Sequence, residues 1–232
     1  MERYVHQSPE QFNYGLLTRS QRISHEDLRL RDPAWLTRLE SWFEAEAGGT
    51  GAAIPPMFAP YSLRDMTLAN RIVVSPMSMY SATEGTVDDF HLVHYGARAQ
   101  GGAGLVITEM TDVSAAGRIT PGCAGLYTDE HVTAWQRITG FVHHHTTARI
   151  AVQLGHAGPK GATRIGWEGM DQPLPQGENW ELIAPSPLPS LPARPIPREM
   201  TRTDIVTDRD QLVEVSAVAP PPASAVHIQP FS

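Results

Sequence analysis

Three short apolar runs alternate with two helical patterns between residues 71 and 154. This alternation constrains the fold more than any other feature of the chain. RIVVS (Arg71–Ser75), GLVITE (Gly104–Glu109) and RIAVQL (Arg149–Leu154) read as buried strands. FHLVHYGARAQG (Phe90–Gly101) and DEHVTAWQRITGFVHHH (Asp129–His145) read as helices. The first carries Phe90, Val93, His94 and Ala97 on one side, and the second a stripe of Val132, Trp135, Ile138 and Val142. Strands that alternate with helices form βαβ units, because neighbouring parallel strands need a long crossover between them. The strands are continuously apolar, as expected where both sheet faces are covered. Each ends in polar or small residues: Ser75-Pro76, Glu109, and Gln153 followed by Gly155-His156. Ligands of parallel α/β proteins sit at the carboxyl ends of the strands. Three polar strand ends therefore point to one rim site.

The flanks differ from this central part. Asp32 is placed to cap a helix with Pro33 at its first position. Trp35, Leu36, Leu39, Trp42 and Phe43 follow at helical spacing, and the helix is expected to stop at Gly48-Gly49. Residues 1–48 thus read as a helical segment and 49–56 as a linker by composition. Most of the 20 prolines fall in the last third of the chain. Pro173 to Pro197 reads as a long excursion with at most a short hairpin. Thr201 to Asp204 could cap another helix. The residues after it sustain no period, so the helix is not expected to develop, and 205–232 is expected to be an irregular Pro-rich tail.

Charge and cysteine count exclude some functions. A net charge of −7 without a basic cluster argues against a nucleic-acid partner. One cysteine, Cys123, leaves no internal disulfide, and the cytoplasm is the expected compartment. MERYVHQSPEQ lacks the apolar core of a signal peptide, and no run approaches the ~20 apolar residues of a membrane span. His143, His144 and His145 are adjacent on a helix, so they point apart and cannot converge on one ion. They suit the negative end of a helix dipole. His91 and His94 share a face without a carboxylate at metal-site spacing. Cys123 has no catalytic neighbour in sequence and is expected to be buried. No G-x-G-x-x-G, phosphate-binding P-loop or G-x-S-x-G motif occurs.

The rim candidates each carry two readings. Ser75, Pro76, Met77 and Ser78 could line a flat aromatic cofactor, since methionine packs well on π faces; on composition alone, a strand exit with core methionines is the simpler reading. Tyr80 could donate a proton or hydrogen bond to a substrate, or be a half-buried packing residue. Gln153, in QLGHAGPKG, could bond a heterocycle edge through its amide, or be satisfied by a neighbouring loop. His156 carries the same pair of readings. Lys160 fits a solvated loop charge.

The stretch MTLANRIVVSPMSMYSATEGTVDDFHLVHYGARAQGGAGLVITEMTDVSAAGRITPGCAGLYTDEH, then QLGHAGPKG, APSPLP and PREMT, resembles the N-terminal part of the Old Yellow Enzyme family of NADH:flavin oxidoreductases. The resemblance covers about residues 57–204. Residues 1–48, with ERYVHQSPEQFNYGLLTRSQRISHEDLRLRDP, resemble the C-terminal end of a salicylyl-CoA 5-hydroxylase-type flavin monooxygenase. The two together resemble the junction of a two-enzyme fusion for aromatic degradation.

The family resemblance implies the first part of a (β/α)8 TIM barrel, about three βα units, with FMN at the rim and NADPH or NADH as reductant. It implies that Ser75, Pro76, Met77 and Ser78 lie along the flavin, with Met110 beside the ring and Gln153 at its pyrimidine end. It implies that Tyr80 reaches a small-molecule substrate, an activated alkene or enoyl compound that takes up hydride from the reduced flavin. Homo-oligomers are common in the family. Ser78 stands where a related subgroup has a potential-tuning cysteine, and Pro159 where arginine is usual. The fourth strand with its paired histidine motif, a flavin-contacting arginine and a glycine-rich phosphate site are expected beyond this sequence. The alternative is a non-catalytic fragment of a bifunctional flavin hydroxylase/oxidoreductase.

Overall fold

The computed structural model describes residues 24–49, 54–169, 171–192, 194–218 and 226–228. The chain divides into two compact units, Met1–Arg71 and Ile72–Ser232.

In the first unit, α1 (His25–Arg31) opens with a capping box made by Ser24 and Asp27. The expected second helix is α2 (Pro33–Glu46). The Trp35 N–H donates to Asp32 Oδ1 at 2.9 Å, as the Asp-Pro start requires. Leu36, Leu39 and Phe43 are buried with Leu28 and Ala59. Glu40 is also buried and takes His25 Nε2 at 2.9 Å and an Arg29 guanidinium nitrogen at 3.2 Å. A hairpin of β1 (Tyr61–Leu63) and β2 (Met66–Leu68) follows the linker. The Arg71 guanidinium stacks over both Phe43 and Tyr61, which ties the end of this unit to its helices.

The second unit is built on a parallel sheet. β3 (Val73–Val74), β4 (Leu105–Asp112), β6 (Arg149–Gly155) and β9 (Val226–Ile228) lie side by side in that order. The short β5 (Ala124–Gly125) pairs with the end of β4. β4 runs three residues past the expected Glu109, since Met110, Thr111 and Asp112 pair with Gln153, Leu154 and Gly155 after a register shift between Ile107 and Met110. Crossover helices α3 (Asp89–Gln100) and α4 (Asp129–His145) cover one face. Val106, Ile150 and Leu154 from the strands pack there with Tyr95, Trp135, Ile138 and Val142. The stripe expected on α4 is the one that packs.

The face expected on α3 is not buried. Phe90 and Val93 are exposed, whereas His91, Tyr95 and Ala99 are buried. Polar bonds from His91 and Tyr95 to the sheet, described below, decide which way this helix turns. The excursion after residue 158 holds a single-turn α5 (Gly166–Gly169) and a two-stranded pair, β7 (Ile183–Ala184) and β8 (Arg198–Glu199). The pair is parallel, so it is not a hairpin.

The irregular tail expected over 205–232 is corrected over 205–218 and 226–228; the rest of that expectation lies outside the described residues. The helix signalled by Thr201 does develop, as α6 (Arg202–Val218). The Thr201 N–H donates to Asp204 Oδ2 at 2.7 Å, and the Asp204 N–H donates back to Thr201 Oγ1 at 3.2 Å. Its period is hard to see because its apolar residues are divided. Val215 is buried and Leu212 packs beside the core, whereas Ile205 and Val213 are exposed. Beyond it β9 adds a fourth parallel strand, with Val226, His227 and Ile228 opposite Val152, Gln153 and Leu154. The three βα units expected are present as β3–α3, β4–α4 and β6–α6, and β9 adds one strand beyond them. The sheet is open among the described residues, with β3 and β9 at its edges.

Ile150 is 1% exposed at the centre of the sheet–helix core. Ile150→Ala is expected to destabilise the unit by about 2–5 kcal/mol in urea unfolding followed by tryptophan fluorescence. A loss below about 1 kcal/mol would show that this core collapses around the cavity.

Candidate functional site

The rim lies at the carboxyl ends of β3, β4 and β6. Ser75 to Ser78 leave β3 as extended chain without regular pairing. Ser75, Met77 and Ser78 are exposed, Met77 by 50%, and Pro76 is half-buried. These methionine and serine side chains are thus not core residues, which removes the simpler reading of a buried strand exit for Met77.

Met110 and Gln153 are direct register partners on β4 and β6. Both are half-buried. A Cβ on Gly155 would lie 2.6 Å from Met110 Cγ and Sδ, so the glycine makes room for the methionine. β9 brings His227 into register beside Gln153. Sequence reasoning missed this residue because it was assigned to the tail.

Tyr80 has φ 51, in the left-handed region that non-glycine residues seldom adopt. Such backbone strain concentrates at binding and catalytic sites. The segment is pinned by the turn at Thr120–Cys123. A Cβ on Gly122 would lie 2.3 Å from the Tyr80 carbonyl oxygen, and the Ala82 N–H donates to the Gly122 carbonyl at 3.0 Å. Burial pushes the Tyr80 phenol up, with a smaller opposing effect from the Ser78 hydroxyl. It is a proton-bearing donor at neutral pH.

His156 is buried, and burial pushes its imidazole down to about 4. Its Nδ1 accepts the Gly158 N–H at 3.0 Å, so it shapes the turn after β6 as a neutral ring. Lys160 is exposed. Cys123 is buried with its thiol pushed up to about 12, first by burial and then by Asp112. It is not a nucleophile. No group of three or more His, Cys, Asp or Glu among the described residues is placed to hold a metal ion.

Two buried carboxylates escaped the sequence reading. Glu109 was noted only as a polar strand end, and Asp112 not at all. Burial pushes the Glu109 carboxyl up, while the N–H groups of Met79 and Tyr80, His91 and the Tyr95 hydroxyl act against it. Asp112 is 0% exposed, and neither oxygen has a well-formed hydrogen bond among the described residues. Burial holds its carboxyl well above the usual carboxylate range, although the neighbouring Cys123 thiol and the Arg118 charge work the other way. A continuous apolar reading of β4 hides both groups, because their burial depends on tertiary packing.

The site thus combines exposed methionine and serine along one strand exit, an adjacent methionine and amide pair, and a strained tyrosine. This donor set would suit a flat ring with apolar faces and a polar edge. An open parallel sheet with crossover helices and a polar rim defines an α/β protein whose candidate ligand site lies at the carboxyl ends of its strands.

The comparisons identify the family. Residues 56–217 match the NADH:flavin oxidoreductase / NADH oxidase family model, and the chain belongs to that family. The match runs through α6, past the expected limit of 204. An NADPH dehydrogenase of Geobacillus thermodenitrificans is 41% identical over 151 residues, covering 64% of this chain and 40% of that protein. An NADPH dehydrogenase of Listeria monocytogenes is 49% identical over 106 residues, covering 45% of this chain and 31% of that protein. The chain therefore spans about 40% or less of the length of these relatives. Morphinone reductase in complex with tetrahydroNAD superposes with TM-score 0.62 at 24% identity, over 75% of this chain and 49% of that one. Old Yellow Enzyme from Pichia sp. AKU4542 gives TM-score 0.61 at 24% identity, over 75% and 45%. Both share the fold. No helix among the described residues is long and apolar enough to cross a membrane.

Folded Asp112 keeps its proton to higher pH than the unfolded carboxyl, whose pKa is about 3.9. The folded state therefore binds more protons, and wild-type stability falls as pH rises above that value. Asp112→Asn removes this loss. The stability difference measured by urea unfolding is expected to move in the variant's favour between about pH 4 and pH 7. A difference independent of pH would contradict the burial argument.

Proposed function

We propose that the chain supplies the ring-facing part of an FMN-dependent NAD(P)H oxidoreductase of Old Yellow Enzyme type. The observation that carries this reading is the meeting of Met110 and Gln153 across β4 and β6 at the rim, beside the exposed Ser75–Ser78 exit. FMN when bound would supply the redox chemistry, taking hydride from NADPH or NADH and delivering it to an activated alkene or enoyl-type substrate. The protein's residues do the rest. The Ser75–Ser78 segment would face the ring edge, with Met77 and Met110 giving soft apolar contact. The Gln153 amide donates and accepts at once, which suits the pyrimidine end of a flavin. Tyr80 offers a phenol that stays protonated at neutral pH, as a donor to a small-molecule substrate needs. Assembly into homo-oligomers and a cytoplasmic site of action belong to the same proposal.

A second reading is a non-catalytic piece of a bifunctional flavin hydroxylase/oxidoreductase, with residues 1–48 from the hydroxylase. The observation that favours it is coverage, since most of the relatives' length is outside this chain.

The test is a fluorescence titration of FMN with the full chain, followed by an NADPH oxidation assay. Quenching of flavin emission is expected, with Gln153→Ala weakening binding by about tenfold, the cost of one lost hydrogen bond to a polar ring. A folded chain that leaves FMN emission unchanged would overturn the flavin reading. Binding without NADPH oxidation selects the second reading for these 232 residues.

A further inference from the structure

We infer that Glu109 is a positioning residue of the rim, a buried carboxylate that holds the backbone of the Ser75–Tyr80 segment in place. This rests on the proposed flavin reading only for what the segment binds; the clamp itself is a property of the apo chain.

Glu109 is 1% exposed and sits on β4 directly before Met110. Its Oε2 accepts the Met79 N–H at 2.9 Å. The Tyr80 N–H is a further donor toward the same carboxylate. A side chain thirty residues away thus bonds peptide groups that no strand or helix satisfies. An unpaired peptide N–H at this exit would leave the segment free to swing.

The carboxylate is in turn fixed from behind. Tyr95 Oη donates to Glu109 Oε1 at 3.3 Å and accepts the Glu109 N–H at 2.9 Å, a reciprocal pair. His91 Nε2 lies 3.5 Å from Glu109 Oε1. That distance is long for a full hydrogen bond but within ion-pair range. The other ring nitrogen, Nδ1, is held by Asp88, 3.0 Å from Oδ1 and 3.1 Å from the backbone N–H. Asp88, His91 and Tyr95 are spaced to share one face of α3 and its cap. The array therefore runs from the helix cap through an imidazole and a carboxylate to the rim backbone. It explains why α3 turns His91 and Tyr95 inward and leaves Phe90 and Val93 in solvent.

The alternative is that Glu109 only satisfies a buried polar core and leaves the rim unaffected. Amide hydrogen exchange of the full chain, resolved by NMR without flavin, separates the two. In the wild type the Met79 amide is expected to exchange slowly, like the core of β4, although it lies in a half-exposed loop. Glu109→Met is expected to speed exchange at Met79 and Tyr80 by at least about tenfold, with Glu109→Gln recovering part of the protection through its remaining acceptor. Exchange in α4 reports whether each variant is folded. FMN titration of the same samples is expected to weaken in the order wild type, Gln, Met. Fast exchange of Met79 in the wild type overturns the clamp even if neither variant folds. So does unchanged exchange in folded Glu109→Met. A slow Met79 amide with no FMN binding would instead leave the clamp standing and remove the flavin reading.

Discussion

Strand β4 is paired along both edges and covered by α3 and α4 on one face, and the rest of the second unit follows from that constraint. It pairs with β3, β5 and β6, and these pairings fix its register. Its register with β6 shifts between Ile107 and Met110, beside the residues that meet the helices and the rim. Glu109 is turned toward Tyr95 and His91, and Met110 is turned toward Gln153.

The buried carboxylates on this strand show opposite solutions to the same cost. Glu109 loses hydration but receives backbone N–H groups, a tyrosine hydroxyl and an imidazole. Asp112 receives a thiol neighbour and little else among the described residues, so its neutral form is favoured. The first arrangement orders the rim. The second makes stability at the end of β4 sensitive to pH.

Much of this was legible in the sequence, and the misses have physical causes. The strand–helix alternation and the α4 stripe are strong periodic signals, and the Asp-Pro start of α2 is a local one; all three appear in the structure. The face of α3 was misread because polar bonds from His91 and Tyr95 outweighed the apolar spacing of Phe90 and Val93. α6 was missed because its apolar residues serve two environments and blur the period. β9 is too short to stand out, and only pairing with β6 defines it. At the rim, the family resemblance singled out Ser75–Ser78, Tyr80, Met110 and Gln153, whereas the burial of Glu109 and Asp112 depends on tertiary packing that no local pattern announces.

The central claim is that the rim at the ends of β3, β4 and β6 receives a flavin ring. The most direct measurement is methyl NMR of the chain labelled at its eight methionines, with FMN added stepwise. Ring currents are expected to shift the Met77 and Met110 methyls while those of Met57, Met66 and Met200 stay in place. Shifts confined to the latter three, or none at any methionine, would contradict the account.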